Sequence, residues 1–230
     1  MTPFVLLLSA FVVSHIALAS PPLRDVLVAR LGENGFRIGY SLLSLVLLVG
    51  AIQLYQGAPD RQLWTAGVGA YHAANLVMLL ASILFVGALT PRNKALAGLP
   101  PAAAAGAPTG VLRITRHPMM WAFVLWAATH VWLSGNLPTV VMAGGIGVLA
   151  LVGPLFQDAK KRRQLGSDWL AYERVTSWIP LGAQVSGRQP WSAVWPGWWP
   201  VLGGTGLFLV LTFLHPALMK APVVGPWAFL

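Results

Sequence analysis

Long apolar stretches alternate with short polar ones along the 230 residues of this chain. Six stretches are long enough, with some tilt, to cross a hydrocarbon core about 30 Å thick. They cover Thr2 to Ala19, Ile38 to Gln56, Ala66 to Leu89, Pro118 to Ser134, Pro138 to Phe156 and Trp199 to Met219. The pattern therefore predicts an all-α, polytopic membrane helical bundle with six transmembrane helices.

The basic residues orient these helices. Thirteen of the fifteen Lys and Arg residues fall in the first, third and fifth inter-helical loops, and only Arg61 and Lys220 remain for the other side. The positive-inside rule places the basic side in the cytoplasm. Both termini are then expected to be periplasmic, in the inner (cytoplasmic) membrane of a bacterium.

Composition narrows the classes of partner and cofactor. The net charge of +9 is spread over one membrane face, and 57% of the residues are hydrophobic, so the charge indicates topology and attraction to anionic lipid rather than nucleic-acid binding. The lipid bilayer is the expected partner. Because the chain has no cysteine, disulfides, thiolate-ligated haem and protein-ligated iron–sulfur clusters are excluded.

The organisation predicted is one membrane domain over residues 1–230, with three helices on each side of a linker. Residues 1–90 hold the first three helices, residues 91–115 form a Pro/Ala/Gly-rich linker that we expect to be mobile, and residues 116–230 hold the last three. The stretch before Ser20 ends like a signal-peptidase site but lacks a basic start, so it is kept as the first helix.

A tryptophan-rich loop, residues 157–198, separates the last two predicted helices. It is densely charged at its start, and its aromatic side chains are typical of anchors in the headgroup layer, where we expect the loop to lie. These side chains are Trp169, Tyr172, Trp178, Trp191, Trp195 and Trp198, with Trp199 directly after them.

The five histidines are the residues of chemical interest, because ionisable groups at membrane depth tend to face the interior of a bundle. Counting about 1.5 Å per residue from the helix ends puts His72, His130 and His215 in an outer tier on three helices. His15 and His117 fall in an inner tier. Histidines at matching depth suit axial ligation of a haem in a bundle core. The alternative is that each histidine simply hydrogen-bonds to a backbone carbonyl or to a polar neighbour.

The segment Arg116-His117-Pro118 begins the fourth predicted helix, with proline at a favourable first-turn position. An Arg-His pair beside a helix start can hold an anionic group of a cofactor through charge and exposed N–H donors. The alternative is a helix start with an interfacial arginine.

Four groups of residues together resemble the NnrU family. They are Ser14-His15-Ile-Ala-Leu-Ala-Ser20, Arg113-Ile-Thr-Arg-His-Pro-Met119, Ala128-Thr-His130 with Trp132 and Gly135-Asn136, and Leu214-His215-Pro216. The family includes bacterial proteins linked with denitrification and the plant 15-cis-zeta-carotene isomerase. The resemblance covers almost the whole chain.

The resemblance implies a haem b, a redox-gated isomerisation, and haem-iron ligands matching His15 and His130. Because the depth count puts these two in different tiers, pairing of His130 with His72 or His215 stays open. A hydrophobic polyene and nitric oxide are the two ligands that the branches of the family imply.

Two other functions stay open. Arg116-His117-Pro118 with Leu165-Gly166, Tyr172 and Ile179-Pro180 is similar to membrane methyltransferases that bind S-adenosylmethionine, although the acidic pair of those enzymes is missing from its expected place. The third class is a non-catalytic assembly factor for denitrification enzymes that docks through the tryptophan-rich loop.

Overall fold

The computed structural model describes residues 1–90, 92–95 and 106–219, and this part of the chain is mostly helical, without a strand. The helices are α1 (Thr2–Ala19), α2 (Pro21–Gln56), α3 (Val68–Ala88), α4 (Val111–Ile114), α5 (Pro118–Ser134), α6 (Leu137–Leu165), α7 (Ser167–Val175), α8 (Gly182–Val185) and α9 (Trp198–Met219), with a 3-10 turn at Trp191–Val194. The predicted all-α fold is confirmed.

Five helices in the described ranges are long and apolar enough to cross a membrane, namely α1, α2, α3, α6 and α9. The fourth predicted span is α5, whose 17 residues rise about 25 Å. It packs between α3 and α6. The chain is thus a multi-pass membrane protein, with α5 inside the same bundle as the five longer helices.

Proline and glycine set several helix ends. Pro118 opens α5 at its first turn, where a missing N–H costs nothing. The helix ends because Gly135 takes a left-handed conformation, with φ at 56°, and a side chain there would collide with the carbonyl oxygen of Trp64. A second positive φ, 71° at Gly32, bends α2, so Pro21–Leu31 forms a helical arm distinct from the apolar part of that helix.

The long helices pack as two groups of three. The first group, α1, α2 and α6, closes around Phe4, Leu8 and Met142. The second group is α3, α5 and α9, in which α3 packs against both of the others. Helices α5 and α6 join the two groups. They pack so closely that a Cβ added at Gly147 would lie 3.0 Å from the Cβ of Ala127.

At one end of the bundle, which we call the basic end, α2 and α5 begin and α6 ends. Residues that sequence assigned to a loop are structured here: α6 continues to Leu165, and Val111–Ile114, at the end of the predicted linker, form helix α4 with buried side chains. The prediction of linker mobility rests largely on residues 96–105, which lie outside the described residues.

Most aromatic residues predicted as anchors in the tryptophan-rich loop fall into two sets, while Trp178 is half-buried against the ring of Trp121. Trp169 and Tyr172, predicted as membrane anchors, are buried with Ala95 in a small core under α7, so that prediction was wrong for both. Helical spacing of three residues puts them on the inner face of α7. A second set remains exposed and keeps the character of headgroup anchors: Trp191, Trp195, Trp198 and Trp199.

Candidate functional site

His130 and His215 lie together at the end of the bundle opposite the basic end. Their ring centroids are 6.1 Å apart and their planes are inclined by 35°. His130 is near the end of α5 and His215 near the end of α9, and α3 supports both helices. The structure therefore brings together two of the histidines that the sequence placed in one tier.

The ring of His130 has a defined orientation. Its Nδ1 lies 2.8 Å from the carbonyl oxygen of Trp126, one helical turn earlier. Because a carbonyl can only accept, Nδ1 carries the proton and donates it, and the neutral ring then keeps a lone pair on Nε2. The Trp126 ring also packs on the imidazole, with centroids 4.4 Å apart. This arrangement leaves Nε2 available as a ligand for a metal ion.

His215 supplies a complementary feature. Its Nδ1 is buried and has no hydrogen-bond partner in the described part of the chain. A buried polar atom without a partner is costly, on the order of 1–3 kcal/mol, and such an atom commonly marks a site where a ligand or an ion completes the structure.

His15 lies elsewhere, in the other group of helices. Its Nδ1 donates to the carbonyl oxygen of Phe11 at 3.1 Å, so the same reasoning leaves its Nε2 with a lone pair. The ring packs against Phe11 and, edge to face, against Tyr40 of α2, with centroids 4.3 Å and 5.1 Å away. The hydrogen bond to a backbone carbonyl that sequence offered as the alternative is thus present in both His15 and His130, but it occupies only one ring nitrogen of each.

His72 lies one turn inside the start of α3. The segment before α3 reaches the end of α5, where the Trp64 indole donates to the carbonyl oxygen of Trp132 at 2.9 Å. His72 therefore belongs to the same end of the bundle as His130 and His215.

Arg116 and His117 form a separate cluster at the basic end. His117 is 2% exposed, and its Nε2 lies 2.6 Å from Oδ1 of Asp158 on α6. The Arg116 guanidinium donates to the other oxygen of that carboxylate, through Nε at 3.0 Å, and approaches Glu173 on α7 at 3.4 Å. We call these four residues the Arg-His-Asp-Glu cluster. It links the start of α5 to α6 and α7.

Backbone contacts complete this attachment. The Arg116 N–H donates to the carbonyl oxygen of Ser177 at 2.8 Å, and the hydroxyl of buried Thr115 donates to the carbonyl oxygen of Trp178 at 2.7 Å. Arg162 also donates two bonds of 2.8 Å to Glu173. Since the side chains of Arg116 and His117 are directed at carboxylates of the chain itself, the cluster holds the loop over the bundle.

Sequence reasoning missed the acidic partners of this cluster. The chain has only six Asp and Glu residues, and three of them, Asp158, Asp168 and Glu173, stand in the most basic loop. Rare carboxylates among excess cations are a usable signal of specific ion pairs. Next to the cluster, burial raises the pKa of the Tyr172 phenol, whose hydroxyl has no partner in the described residues.

The haem b that the family resemblance implies can be tested against these residues. Metal–nitrogen bonds are about 2 Å long, so one metal ion coordinated from two sides by imidazoles needs ring centroids about 6 Å apart. The separation of 6.1 Å between His130 and His215, together with the unpartnered Nδ1 of His215, fits such coordination. His15 carries a suitable nitrogen but faces Tyr40.

Comparison with known proteins gives a consistent result. The NnrU protein family matches residues 3–223. The chain is 30% identical over 237 aligned positions to the chloroplastic 15-cis-zeta-carotene isomerase of Arabidopsis thaliana, and 28% identical over 233 to that of Zea mays. Each alignment covers 96% of this chain and 62% of the relative.

The chain therefore spans about three fifths of the length of these curated relatives. No solved structure matches it. The family match runs through all the long helices and includes the motifs around His15, Arg116, His130 and His215. The chain therefore belongs to the NnrU family.

Proposed function

We propose that this protein binds haem b through His130 and acts as an isomerase on a hydrophobic cis polyene within the membrane. The observation that carries the proposal is the pair of imidazoles of His130 and His215, 6.1 Å apart with an unpartnered buried nitrogen. The names of the two plant relatives, both 15-cis-zeta-carotene isomerases, supply the reaction.

The residues of the chain have defined tasks in this proposal. His130 offers Nε2 because its Nδ1–H is bound to the carbonyl of Trp126, which also fixes the direction of the ring. His215 of α9 would supply a second imidazole nitrogen to hold the group, since its buried Nδ1 has no partner among the described residues. When bound, the haem supplies a redox-active iron whose state can gate the reaction. The apolar helices around the pair would keep water from the site, and a polyene would reach it from the lipid.

The first experiment is spectroscopic. Detergent-purified protein from cells supplied with haem should show a Soret band in the oxidised and dithionite-reduced states, and a pyridine haemochrome assay should give one haem b per chain. His130→Ala should remove the haem. His117→Gln is the matched control, because it changes a buried histidine at the other end of the same helix and should retain the haem.

A colourless wild-type protein, or a His130→Ala variant with its full haem content, would overturn the haem assignment. Size-exclusion profiles of both variants separate loss of haem from loss of the fold. The isomerase activity is tested next, by incubating reduced haem-loaded protein with 15-cis-zeta-carotene and resolving the isomers by chromatography. Haem without isomerisation would leave a haem protein of another function, such as binding nitric oxide.

The proposal includes the topology of six spans, with α5 as the fourth and with both termini in the periplasm of a bacterial inner membrane. Its support is the concentration of Lys and Arg at one end of the bundle. Because the chain has no cysteine, single cysteines can report the topology directly. A cysteine replacing Gly57 should react with an impermeant maleimide in intact cells, and one replacing Ser186 only after lysis. The reverse pattern would invert the topology.

A further inference from the structure

The helical arm Pro21–Leu31 of α2 folds against the basic end of α6. Across the bend at Gly32, Arg24 donates to both carboxylate oxygens of Glu33 at 2.6 Å. Asp25 of the same arm pairs with Arg163 of α6 at 3.2 Å. The Asp25–Arg163 ion pair therefore joins the arm to the last turns of α6, and the Arg24–Glu33 ion pair spans the bend within α2.

Cations outnumber carboxylates at this junction. Lys160 stands one turn before Arg163 on α6, and Arg37 stands one turn after Glu33 on α2, so both lie at this junction, where Lys160 interacts electrostatically with Arg24, Arg37 and Glu33. Neither Arg37 nor Lys160 has an ion-pair partner in the part of the chain that the structure describes, while Arg24 is occupied with Glu33. Two cations without ion-pair partners among the described residues thus lie beside the Arg24–Glu33 and Asp25–Arg163 pairs.

The surroundings of these cations reduce the screening of their charges by solvent. Lys160 is half-buried, and Arg24 is 9% exposed and lies over the Phe36 ring at 5.3 Å from its centroid. Charges near low-dielectric side chains are less screened than charges in open solvent, so these cations repel one another more than they would in water. A bound anion would offset it.

An exposed apolar face begins directly after Arg37. Ile38, Leu42 and Leu45 recur at helical spacing and are 58–62% exposed, so they face the lipid. A polar, cationic site that continues into an apolar helix face matches a molecule with an anionic head and hydrocarbon tails. Basic pockets between helices at the cytoplasmic surface bind lipid headgroups in this way.

We propose that the junction of α2 and α6 is a specific binding site for an anionic phospholipid. Arg37 and Lys160 bind the phosphate of the headgroup, Arg24 and Glu33 hold the junction in shape, and the acyl chains lie along the face of Ile38, Leu42 and Leu45. The site recognises a phosphate group, and this phosphate belongs to a membrane phospholipid.

The test is native mass spectrometry of the full-length, detergent-solubilised protein titrated with phosphatidylglycerol. The double variant Arg37→Gln/Lys160→Gln should bind this lipid roughly 30-fold more weakly, since each cation contributes several-fold to binding an anionic headgroup. The matched control is Arg30→Gln/Arg92→Gln, which removes the same charge from two exposed positions, one on the arm of α2 and one after α3, on the same predicted membrane face. It should bind within about twofold of the wild type.

Three results would overturn the proposal. The first is an equal loss of binding in the control variant, which would indicate nonspecific attraction. The second is equal binding of phosphatidylcholine, which would show that net headgroup charge is not recognised. The third is displacement of phosphatidylglycerol by millimolar inorganic phosphate, which would make the site one for a free anion.

Discussion

The imidazole rings of His130 and His215 lie 6.1 Å apart although 84 residues separate them along the chain. Helix α3 makes this possible, because it packs against both α5 and α9 and sets the distance between them. His15, which the family resemblance pairs with His130, contacts Tyr40 in the other group of helices. The two pairings make different predictions for mutants.

His215→Ala should release the haem or convert its spectrum to that of a five-coordinate iron, because it removes the imidazole that faces His130. His15→Ala should keep the spectrum of the wild type. The measurement is the reduced absorption spectrum together with the haem content per chain. Loss of haem from His15→Ala with retention in His215→Ala would instead support ligation by His15 and His130. Added imidazole should restore the spectrum of whichever variant has lost a ligand.

Gly204→Ala should destabilise the protein and disturb the same site. A Cβ at Gly204 of α9 would lie 2.5 Å from the Cα of Ile83 on α3, so the two helices would have to separate. Overpacking of this kind costs about 1–3 kcal/mol. Thermal unfolding in detergent should show a lower midpoint, and haem occupancy should fall.

Gly206→Ala is the control for that variant. It lies on the same helix, nothing stands within 4 Å of its added Cβ, and alanine favours helix by about 1 kcal/mol over glycine. We expect an unchanged or higher midpoint. Equal destabilisation by both variants would mean that the close contact of α3 and α9 is not what Gly204 provides.

Asp158→Asn should loosen the basic end. The change removes the carboxylate that binds both Arg116 and His117, and breaking a buried ion pair on one side costs about 3–5 kcal/mol. Limited proteolysis should cut the segment between α6 and α9 faster, while the haem, at the opposite end, should remain. Asp168→Asn removes an exposed carboxylate of α7 and should leave the cleavage rate near that of the wild type.

Gly135→Ala should destabilise the turn between α5 and α6. Gly135 has φ at 56°, and its backbone faces the segment 61–64, where the Leu63 N–H donates to the Gly135 carbonyl oxygen at 2.7 Å. Alanine would meet both a strained conformation and the carbonyl oxygen of Trp64. The unfolding midpoint should fall, whereas Gly144→Ala, which has open space around its Cβ, should not lower it.

Sequence alone predicted the long helices well because apolar length is a direct consequence of the thickness of a bilayer. The bounds of α1 and α5 agree with the predicted stretches, and Pro118 and Gly135 mark the ends of α5 as their backbone preferences require. Helix α2 is longer than predicted, because its polar arm before Gly32 is stabilised by ion pairs with Glu33 and Arg163 that apolar periodicity does not reveal.

The sequence predicted only part of the candidate site. Counting residues from the helix ends placed His130 and His215 at one depth, but depth does not say which helices are neighbours. That is decided by close contacts such as Gly204 against Ile83 and Gly147 against Ala127, which depend on the shapes of whole helix surfaces. The partnership of Asp158 with Arg116 and His117 is likewise a contact between helices far apart along the chain.

The division of the bundle into α1, α2 and α6 on one side and α3, α5 and α9 on the other has a consequence for biosynthesis. Chains are made from the N-terminus, so α1 and α2 enter the membrane long before α6, which supplies the third wall of their core. The second group must likewise wait for α9. Neither group can pack fully until its last helix has been made. The hairpin of α5 and α6, joined at Gly135, contributes α6 to the first group and α5 to the second. The first group can thus close once α6 is made, whereas the second stays open until α9 follows.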